Sequence, residues 1–327
     1  MTERENALNT ILYGTPEWIP CKWRSVFQCG HSVMKETGPT NEQGQRIGGL
    51  DCWGVNWVLT DQGVDAPTPD ANQEPILDDI CDWKEKVKFP DVEGADWAKG
   101  AAEELKHYDG EKLLVYFDTE GLFNRVCDLM GFEEAMMALV SEPEDADELI
   151  SAICDHKIRV IEHAAKYYKP DVFCFMDDLA ASYGPMISPE LYRSLFKPYH
   201  AKIFHSIREN GMIAEFHICG KWDVLMDDFA EEGVQIMFPC QPSNDLALMH
   251  EKYPEICFEG GAESQGAMFS NHATWDAGVK EAERCIREYG QFGRYMCHVS
   301  RSGPATIAHD AFYETAWKLA HEIDSIQ

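Results

Sequence analysis

Residues 172–217, VFCFMDDLAASYGPMISPELYRSLFKPYHAKIFHSIRENGMIAEFH, contain the pattern that decides the fold. The segment begins and ends with apolar runs, Val172–Met176 and Met212–His217, which are typical of buried strands. Between them, Ser188-Pro189-Glu190 is typical of a helix start, because a hydroxyl caps the first amides and proline suits the first turn. Two buried strands joined by a helix predict a parallel βαβ unit.

The helix of this unit carries an apolar stripe at steps of four residues, which Asn210-Gly211 ends. The stripe consists of Leu191, Leu195, Tyr199, Ile203 and Ile207. Further predicted strands are Leu113–Phe117, Val234–Phe238, Ile256–Gly260 and Tyr295–Val299. This alternation predicts an α/β fold, and a closed (β/α)8 TIM barrel fits the number of strands better than an open sheet.

The length fits one barrel domain over residues 1–327, of which about 1–110 form an irregular N-terminal extension that covers the barrel. Within this extension, Asp51–Thr60 is a predicted strand and Thr68–Pro75 a predicted loop. The extension also carries six tryptophans. They are Trp18, Trp23, Trp53, Trp57, Trp83 and Trp97. These side chains either line an aromatic pocket or pack the extension onto the barrel.

The charge balance bears on binding partners. The chain has 57 acidic and 28 basic residues and a net charge of −29. A surface this negative repels phosphate backbones and anionic lipid, so we expect neither a nucleic acid nor a membrane partner. A basic protein partner is compatible with this charge.

The N-terminus is polar and lacks an apolar export signal, and no apolar run reaches the roughly 18 residues that span a bilayer. We therefore expect a cytoplasmic protein whose 12 cysteines are mostly free thiols. Several of these cysteines lie among helix-like residues and are expected to fill the core: Cys81, Cys127, Cys154 and Cys285.

A candidate metal site follows the strand that ends at His217. Residues i and i+2 of a strand point to the same face, so His217 and Cys219 project together just before Gly220. An imidazole and a thiolate are good zinc ligands, and active sites of barrels lie at this end of the strands. We predict Cys297 as the third ligand, with His298 or Glu263 as alternatives.

Polar residues after the other strands are the candidates for acid–base chemistry and substrate binding. Asp177 follows an apolar strand, and we assign it, with Glu263, to catalysis or to orienting the metal's ligands. Asp178 is either a substrate-binding residue or a cap of a helix or loop. The predicted substrate-binding residues are Trp53, Asp178, Tyr183, Gln265 and His298.

At these residues the sequence resembles the uroporphyrinogen decarboxylase superfamily. It resembles most closely the corrinoid-dependent methyltransferase branch of that superfamily, and within it the methyltransferases of O-demethylase systems. The landmarks, in order, are Asp51-Cys52-Trp53-Gly54-Val55, Met176-Asp177-Asp178-Leu179, Ser188-Pro189-Glu190-Leu191, Lys197-Pro198-Tyr199, His217-Ile218-Cys219-Gly220, Glu231-Glu232-Gly233-Val234 and Glu259-Gly260-Gly261. The H-x-C-G segment points to the methyltransferase branch. The arginine-rich N-terminal pattern of true decarboxylases is missing from Lys22–His31.

The resemblance implies a (β/α)8 barrel and zinc held by His217, Cys219 and Cys297. It further implies transfer of a methyl group from a small methylated substrate to a corrinoid. We favour a methoxylated aromatic compound as that substrate. The chain lacks the D-x-H-x-x-G pattern of corrinoid carriers, so the corrinoid is expected on a separate carrier protein. The alternatives are transfer in the opposite direction, onto a thiol, and a metal-free decarboxylase. The sequence leaves the oligomeric state open, a homodimer included.

Overall fold

The structure is a computed structural model that describes residues 1–39, 46–59, 67–263, 266–268, 272–299 and 306–322. The strands along this part of the chain are β1 Val26–Cys29, β2 Gly49–Leu50, β3 Asn56–Val58, β4 Thr68–Pro69, β5 Leu113–Asp118, β6 Val172–Met176, β7 Ala180–Ala181, β8 Gly184–Pro185, β9 Ile213–His217, β10 Ile236–Cys240, β11 Cys257–Gly261 and β12 Tyr295–His298.

The helices surround the strands. They are α1 Glu3–Tyr13, α2 Lys22–Ser25, α3 Trp83–Lys86, α4 Trp97–Glu104, α5 Leu122–Met130, α6 Phe132–Ser141, α7 Pro143–Tyr167, α8 Pro189–Leu191, α9 Lys197–Glu209, α10 Met226–Glu232, α11 Leu246–Lys252, α12 Trp275–Tyr289 and α13 Ile307–Glu322. A π-helical turn, Tyr192–Phe196, lies between α8 and α9. No helix in the described ranges is both long enough and apolar enough to span a bilayer.

Within the described ranges, seven strands form one parallel sheet in the order β1-β5-β6-β9-β10-β11-β12. Its two edges are joined by the segment around Cys21. The backbone N–H of Cys297 on β12 donates to the carbonyl of Pro20 (2.8 Å). The backbones of Cys21 and Cys297 also form an isolated parallel β-bridge. A few residues later, β1 pairs with β5. The sheet therefore curls into a barrel, which confirms the predicted α/β TIM-barrel fold.

The barrel wall begins earlier in the chain than predicted. Strand β1 lies at Val26–Cys29, inside the region that the sequence assigned to the N-terminal extension. Between Cys21 and β1 the wall is interrupted by α2, a single helical turn. Through this interruption the side chain of Lys22 reaches Glu215 and Glu259, two residues on barrel strands.

Successive residues of each barrel strand face opposite sides, as the pleat of a strand requires. On β5, Leu113, Val115 and Phe117 pack with the apolar residues of the barrel interior. The residues between them, Leu114 and Tyr116, pack with the helices outside. This alternation decides which strand residues reach the mouth of the barrel.

The predicted strand Asp51–Thr60 is mostly wrong, since only Asn56–Val58 of its described part forms a strand. The cause is the Asp51 carboxylate, whose Oδ1 accepts the backbone N–H groups of Trp53 and Val55 and folds this segment into a turn. The predicted loop at residue 68 begins with a short strand, β4, which pairs with β3.

The predicted helix start at Ser188 is confirmed, because its hydroxyl accepts the N–H of Leu191 (3.2 Å). The helix is not regular beyond that point, since the π-helical turn follows directly. The apolar stripe nevertheless packs inward. Leu195, Tyr199, Ile203 and Ile207 are buried.

Candidate active site

His217 and Cys219 meet at the mouth of the barrel, as the sequence predicts. His217 is the last residue of β9, and its Nε2 lies 3.5 Å from the Sγ of Cys219. The turn depends on Gly220, whose φ is +89°. A Cβ at this position would lie 2.6 Å from the carbonyl oxygens of both Ala180 and Ala181, so only glycine fits.

The third side chain at this position is Asp178, two residues beyond the end of β6. One ligand atom from each of Asp178, His217 and Cys219 lies within 4.8 Å of the others. The Oδ1 of Asp178 also accepts the backbone N–H of Cys219 (2.6 Å). Neighbouring parallel strands therefore bring together a carboxylate, an imidazole and a thiol.

Burial controls the protonation of the three groups. It raises the pKa of the Cys219 thiol well above its usual range, and the nearby Asp178 carboxylate adds to this effect. Burial also raises the pKa of Asp178 to about 6. Burial, followed by the positive charge of Lys22, lowers the pKa of His217 to about 3. The site near neutral pH therefore holds a neutral imidazole and a protonated thiol.

The three groups fit zinc. Nitrogen, sulfur and carboxylate oxygen are its usual protein ligands, and three protein ligands with one open position are typical of catalytic zinc. Tetrahedral bonds of the usual lengths place the nitrogen and sulfur ligands about 3.6 Å apart. The 3.5 Å between His217 Nε2 and Cys219 Sγ agrees with that distance.

The structure does not bring Cys297, the predicted third ligand, to this pair. Its side chain lies on the outer face of β12, in the core packed against the helices. There its thiol is within hydrogen-bonding reach of Cys21. The physical reason is strand alternation, since Met296, the preceding residue, packs in the barrel interior.

His298, the alternative ligand and a predicted substrate-binding residue, faces the interior. Its ring lies 5.3 Å from that of Phe238, and the His217 ring lies 4.7 Å from the same phenyl ring. His298 and His217 therefore contact the same phenyl ring from two different strands. His298 is not part of the cluster of Asp178, His217 and Cys219.

Asp177, predicted to be catalytic, is fully buried and caps a helix. Its two carboxylate oxygens accept the backbone N–H groups of Leu122, Phe123 and Asn124 at the start of α5. The side chain therefore faces the helices, whereas that of its neighbour Asp178 faces the mouth.

The remaining predicted residues are dispersed. Tyr183 is 95% exposed at the tip of the β7–β8 hairpin, which packs on the Gly220 turn. Trp53 is buried against Phe89 and His156, on the α7 side. Glu263 is exposed just beyond β11. Gln265 lies outside the described residues.

The tryptophans of the N-terminal region mainly serve packing. Trp53, Trp57 and Trp97 are buried in the core. Trp23 packs against Tyr313 of α13 (4.3 Å between ring centroids), and Trp18 stacks on His321 (5.2 Å). This is the second of the two roles that the sequence allowed for them.

Sequence reasoning missed the aromatic walls of the mouth. The rings of Phe117 and Phe238 contact the His217 ring nearly at right angles, with centroids 5.4 and 4.7 Å away. Both residues lie in predicted strands, but their side of the strand is not visible in an apolar run. Gln241 was also missed, although its side chain accepts the N–H of Gly220 (3.0 Å).

A buried ionic group lies inside the barrel below the mouth. The ammonium of Lys22 contacts the carboxylates of Glu215 (3.1 Å) and Glu259 (2.5 Å). Burial opposes the charge of Lys22, but the two carboxylates outweigh it and raise its pKa. Burial raises the pKa of Glu259 to about 8. A glutamate in the middle of each apolar strand was the available signal for this group.

A cavity of about 140 Å³ opens beside Phe117, between the ends of β1 and β5 and the segment 30–38. Behind it lies a second buried ionic group. Lys157 contacts the carboxylates of Glu36 and Asp118, and Arg125 contacts Glu36 and Asp51. Glu36 and Asp118 therefore line the cavity while neighbouring basic groups balance their charge.

Comparisons with known proteins place the chain in a family. The family model of uroporphyrinogen decarboxylase (URO-D) matches residues 63–303, and the chain belongs to this family. A methyltransferase from Methanosarcina mazei has a similar structure, with a TM-score of 0.72 over 98% of this chain and 99% of that chain. Its sequence identity is 14%, so the likeness concerns the fold. A comparison with curated proteins gave no match.

Proposed function

We propose that this URO-D family member is a zinc-dependent methyltransferase. It moves a methyl group from a small methylated substrate, a methoxylated aromatic compound, to the corrinoid of a separate carrier protein. The observation that carries the proposal is the cluster of Asp178, His217 and Cys219, which offers oxygen, nitrogen and sulfur within 4.8 Å at the barrel mouth. The methyltransferase with the same fold is consistent with this chemistry.

In this function, Asp178, His217 and Cys219 would hold zinc at the barrel mouth, next to the substrate. Bound zinc supplies Lewis acidity at the ether oxygen, which makes that oxygen a better leaving group. The carrier's reduced corrinoid would supply the electron pair that bonds the methyl group, and the electrons of the broken methyl–oxygen bond would stay on the oxygen. His298 faces the same mouth and is placed to supply the proton that the oxygen then takes up.

The aromatic substrate class is supported by the walls of the mouth. Phe117 and Phe238 flank His217, and flat apolar walls suit an aromatic ring. A cavity of about 140 Å³ shares Phe117 with this wall, and the rest of its lining is the largely polar segment 30–38 with Arg46, Asp118 and Thr119.

Metal content tests the proposal, and the chain offers a matched pair of cysteines. We expect about one zinc per chain in the wild type, loss of zinc in Cys219→Ala, and retention of zinc in Cys297→Ala. The second variant removes a fully buried thiol from the outer face of the same barrel. A wild type without zinc, prepared free of chelators, overturns the metal mechanism and favours a decarboxylase.

The direction of transfer is tested next. The zinc-loaded protein is incubated with reduced cobalamin and methoxylated aromatic compounds, and formation of the free phenol is measured. Formation of a methylated thiol from methylcobalamin and a thiol, without phenol formation in the first assay, reverses the assigned direction. Metal binding without either activity contradicts the methyl transfer.

A further inference from the structure

Behind the proposed metal site lies a buried chain of four polar side chains that the mechanism above does not use. The Nε2 of His200 lies 2.9 Å from Asp177 Oδ2, and its Nδ1 lies 3.0 Å from the hydroxyl of Tyr192. That hydroxyl donates in turn to Glu232 Oε1 (2.7 Å). All four residues are buried, three of them completely.

One direction in this series is fixed by the chemistry of its members. The Nε2 of His200 donates to Asp177, which as a carboxylate only accepts. The Nδ1 of His200 forms the second hydrogen bond of the ring, with the Tyr192 hydroxyl. Both ring nitrogens are therefore occupied, and the histidine is fixed at both ends.

The π-helical turn at Tyr192–Phe196 makes this alignment. In a regular α-helix, residues eight apart lie about 80° apart around the axis, since each residue turns about 100°. One π-turn absorbs one extra residue and removes about 100° from that sum. Tyr192 and His200 are thereby brought to nearly the same face. Isolated π-turns occur frequently at functional sites, so this one is an independent sign of a role.

The chain of hydrogen bonds continues from Asp177 to the proposed metal ligands. Asp177 Oδ1 accepts the N–H of Asn124, whose own side-chain oxygen accepts the N–H of Asp178 (2.6 Å). The carboxylate of Asp178 accepts the N–H of Cys219 (2.6 Å). His200 therefore stands at the rear of a continuous series of contacts that ends at the sulfur ligand's own residue.

We infer that His200 and Tyr192 are positioning residues of the metal site, which hold Asp177 and through it aim the Asp178 carboxylate at the His217–Cys219 pair. The inference rests on the proposed function for the identity of the ligands. It assigns a role in metal affinity to two side chains that do not touch the metal. Groups that hydrogen-bond a metal ligand directly contribute about 10–100-fold to metal affinity, and we expect a smaller contribution from these more distant residues.

Two substitutions of His200 distinguish a role in positioning the metal ligands from a role in packing alone. His200→Leu removes both hydrogen bonds, whereas His200→Gln keeps an amide N–H that can donate to Asp177. His250→Leu is the matched control, because His250 is also a buried histidine in the helical layer, and its ring packs among those of Phe258, Phe292 and Tyr295. Tyr192→Phe removes the hydroxyl alone and serves if His200→Leu does not fold.

Zinc affinity is measured by competition with a chromogenic chelator, and Co²⁺ absorption reports the ligand geometry. We expect His200→Leu to weaken zinc binding by up to about tenfold, the lower end of the range for direct partners of ligands, and to alter the Co²⁺ spectrum. Tyr192→Phe should have a smaller effect in the same direction. His200→Gln and His250→Leu should bind zinc as the wild type does. Wild-type affinity and spectrum in a folded His200→Leu or in Tyr192→Phe overturn the inference.

Hydrogen exchange of the metal-free protein distinguishes this inference from the proposed function. We expect faster exchange of the Leu122–Asn124 and Cys219 amides in His200→Leu, and protection close to wild type in His200→Gln. If the wild type binds no zinc but exchange changes in this way, the proposed function fails while the positioning of Asp178 stands. Unchanged exchange in His200→Leu overturns the positioning role whatever the metal content.

Discussion

The backbone N–H of Cys219 donates a 2.6 Å hydrogen bond to the carboxylate of Asp178. This bond connects the turns that follow two neighbouring parallel strands, β6 and β9. It holds a carboxylate next to a thiol although the two residues are 41 positions apart in the chain. The third zinc ligand that we propose therefore comes from the strand beside His217, and not from β12.

Replacing this carboxylate should weaken metal binding. In Asp178→Asn the amide oxygen can still accept the N–H of Cys219, but the negative charge is lost. We expect zinc affinity, measured by chelator competition, to fall at least about tenfold. Asp223→Asn is the control, because Asp223 lies beyond the same turn and pairs with Lys221. Equal affinities for the two variants would rule out Asp178 as a ligand.

The glycine of the H-x-C-G segment should be irreplaceable for steric reasons. Gly220→Ala combines an unfavourable positive φ with a Cβ only 2.6 Å from two carbonyl oxygens. Gly211→Ala has a similar φ of +79° and open space around the new Cβ. We expect Gly211→Ala to cost about 1 kcal/mol of unfolding free energy, and Gly220→Ala at least about 2 kcal/mol more. Urea unfolding measures both, and similar losses would contradict the steric argument.

Removing the ammonium from the barrel interior should be costly. Lys22→Met leaves Glu215 and Glu259 buried without their shared cation, and breaking a buried pair in this way costs about 3–5 kcal/mol. Lys197→Met is the control, since Lys197 also bonds two carboxylates but is partly exposed. We expect it to cost about 1 kcal/mol or less. If urea unfolding gives both variants the same stability, the buried ammonium of Lys22 contributes no more than the partly exposed one of Lys197.

A buried histidine should make stability fall in mild acid. Burial lowers the pKa of His250 to about 4, whereas its value in the unfolded chain is about 6.5. Between these values the unfolded state binds a proton that the folded state excludes, so stability falls as pH decreases below about 6.5. Relative to His250→Phe, the wild type should lose about 1.4 kcal/mol per pH unit down to about pH 4.

The measurement is urea unfolding of both proteins at several pH values between 7.5 and 4.5. The comparison with His250→Phe cancels the contributions of all other titrating groups. The ring of His250 stacks on Phe292 (4.4 Å between centroids), so a phenyl ring keeps the packing. A difference in stability that does not change with pH would contradict the buried neutral histidine.

Much of the fold was predictable from the sequence because the barrel strands are buried on both faces. Such strands are continuous apolar runs, and their bounds were correct to within two residues, as in Ile213–His217. Strand β1 was missed, since Val26–Cys29 has only four residues and contains a glutamine. The turn at Asp51 was missed because a side-chain hydrogen bond, and not the apolar pattern, determines it.

The same property of the strands limited the prediction of the site. A strand that is apolar on both faces does not reveal which residues point inward. The sequence favoured Cys297 over His298 as the third ligand, and the structure places the two residues on opposite faces. The pair His217 and Cys219 was recoverable because both lie in one segment. The position of Asp178 beside them depends on strand order, which no local pattern contains.

The π-helical turn at Tyr192–Phe196 has a consequence for comparing this chain with its relatives. Because the turn absorbs one residue without changing the buried face on either side, it is the structural form of a single-residue insertion. Relatives with a regular helix here should align with a one-residue gap at this position. They should also lack the Tyr192–His200 pair, because without the extra residue those two side chains face different directions.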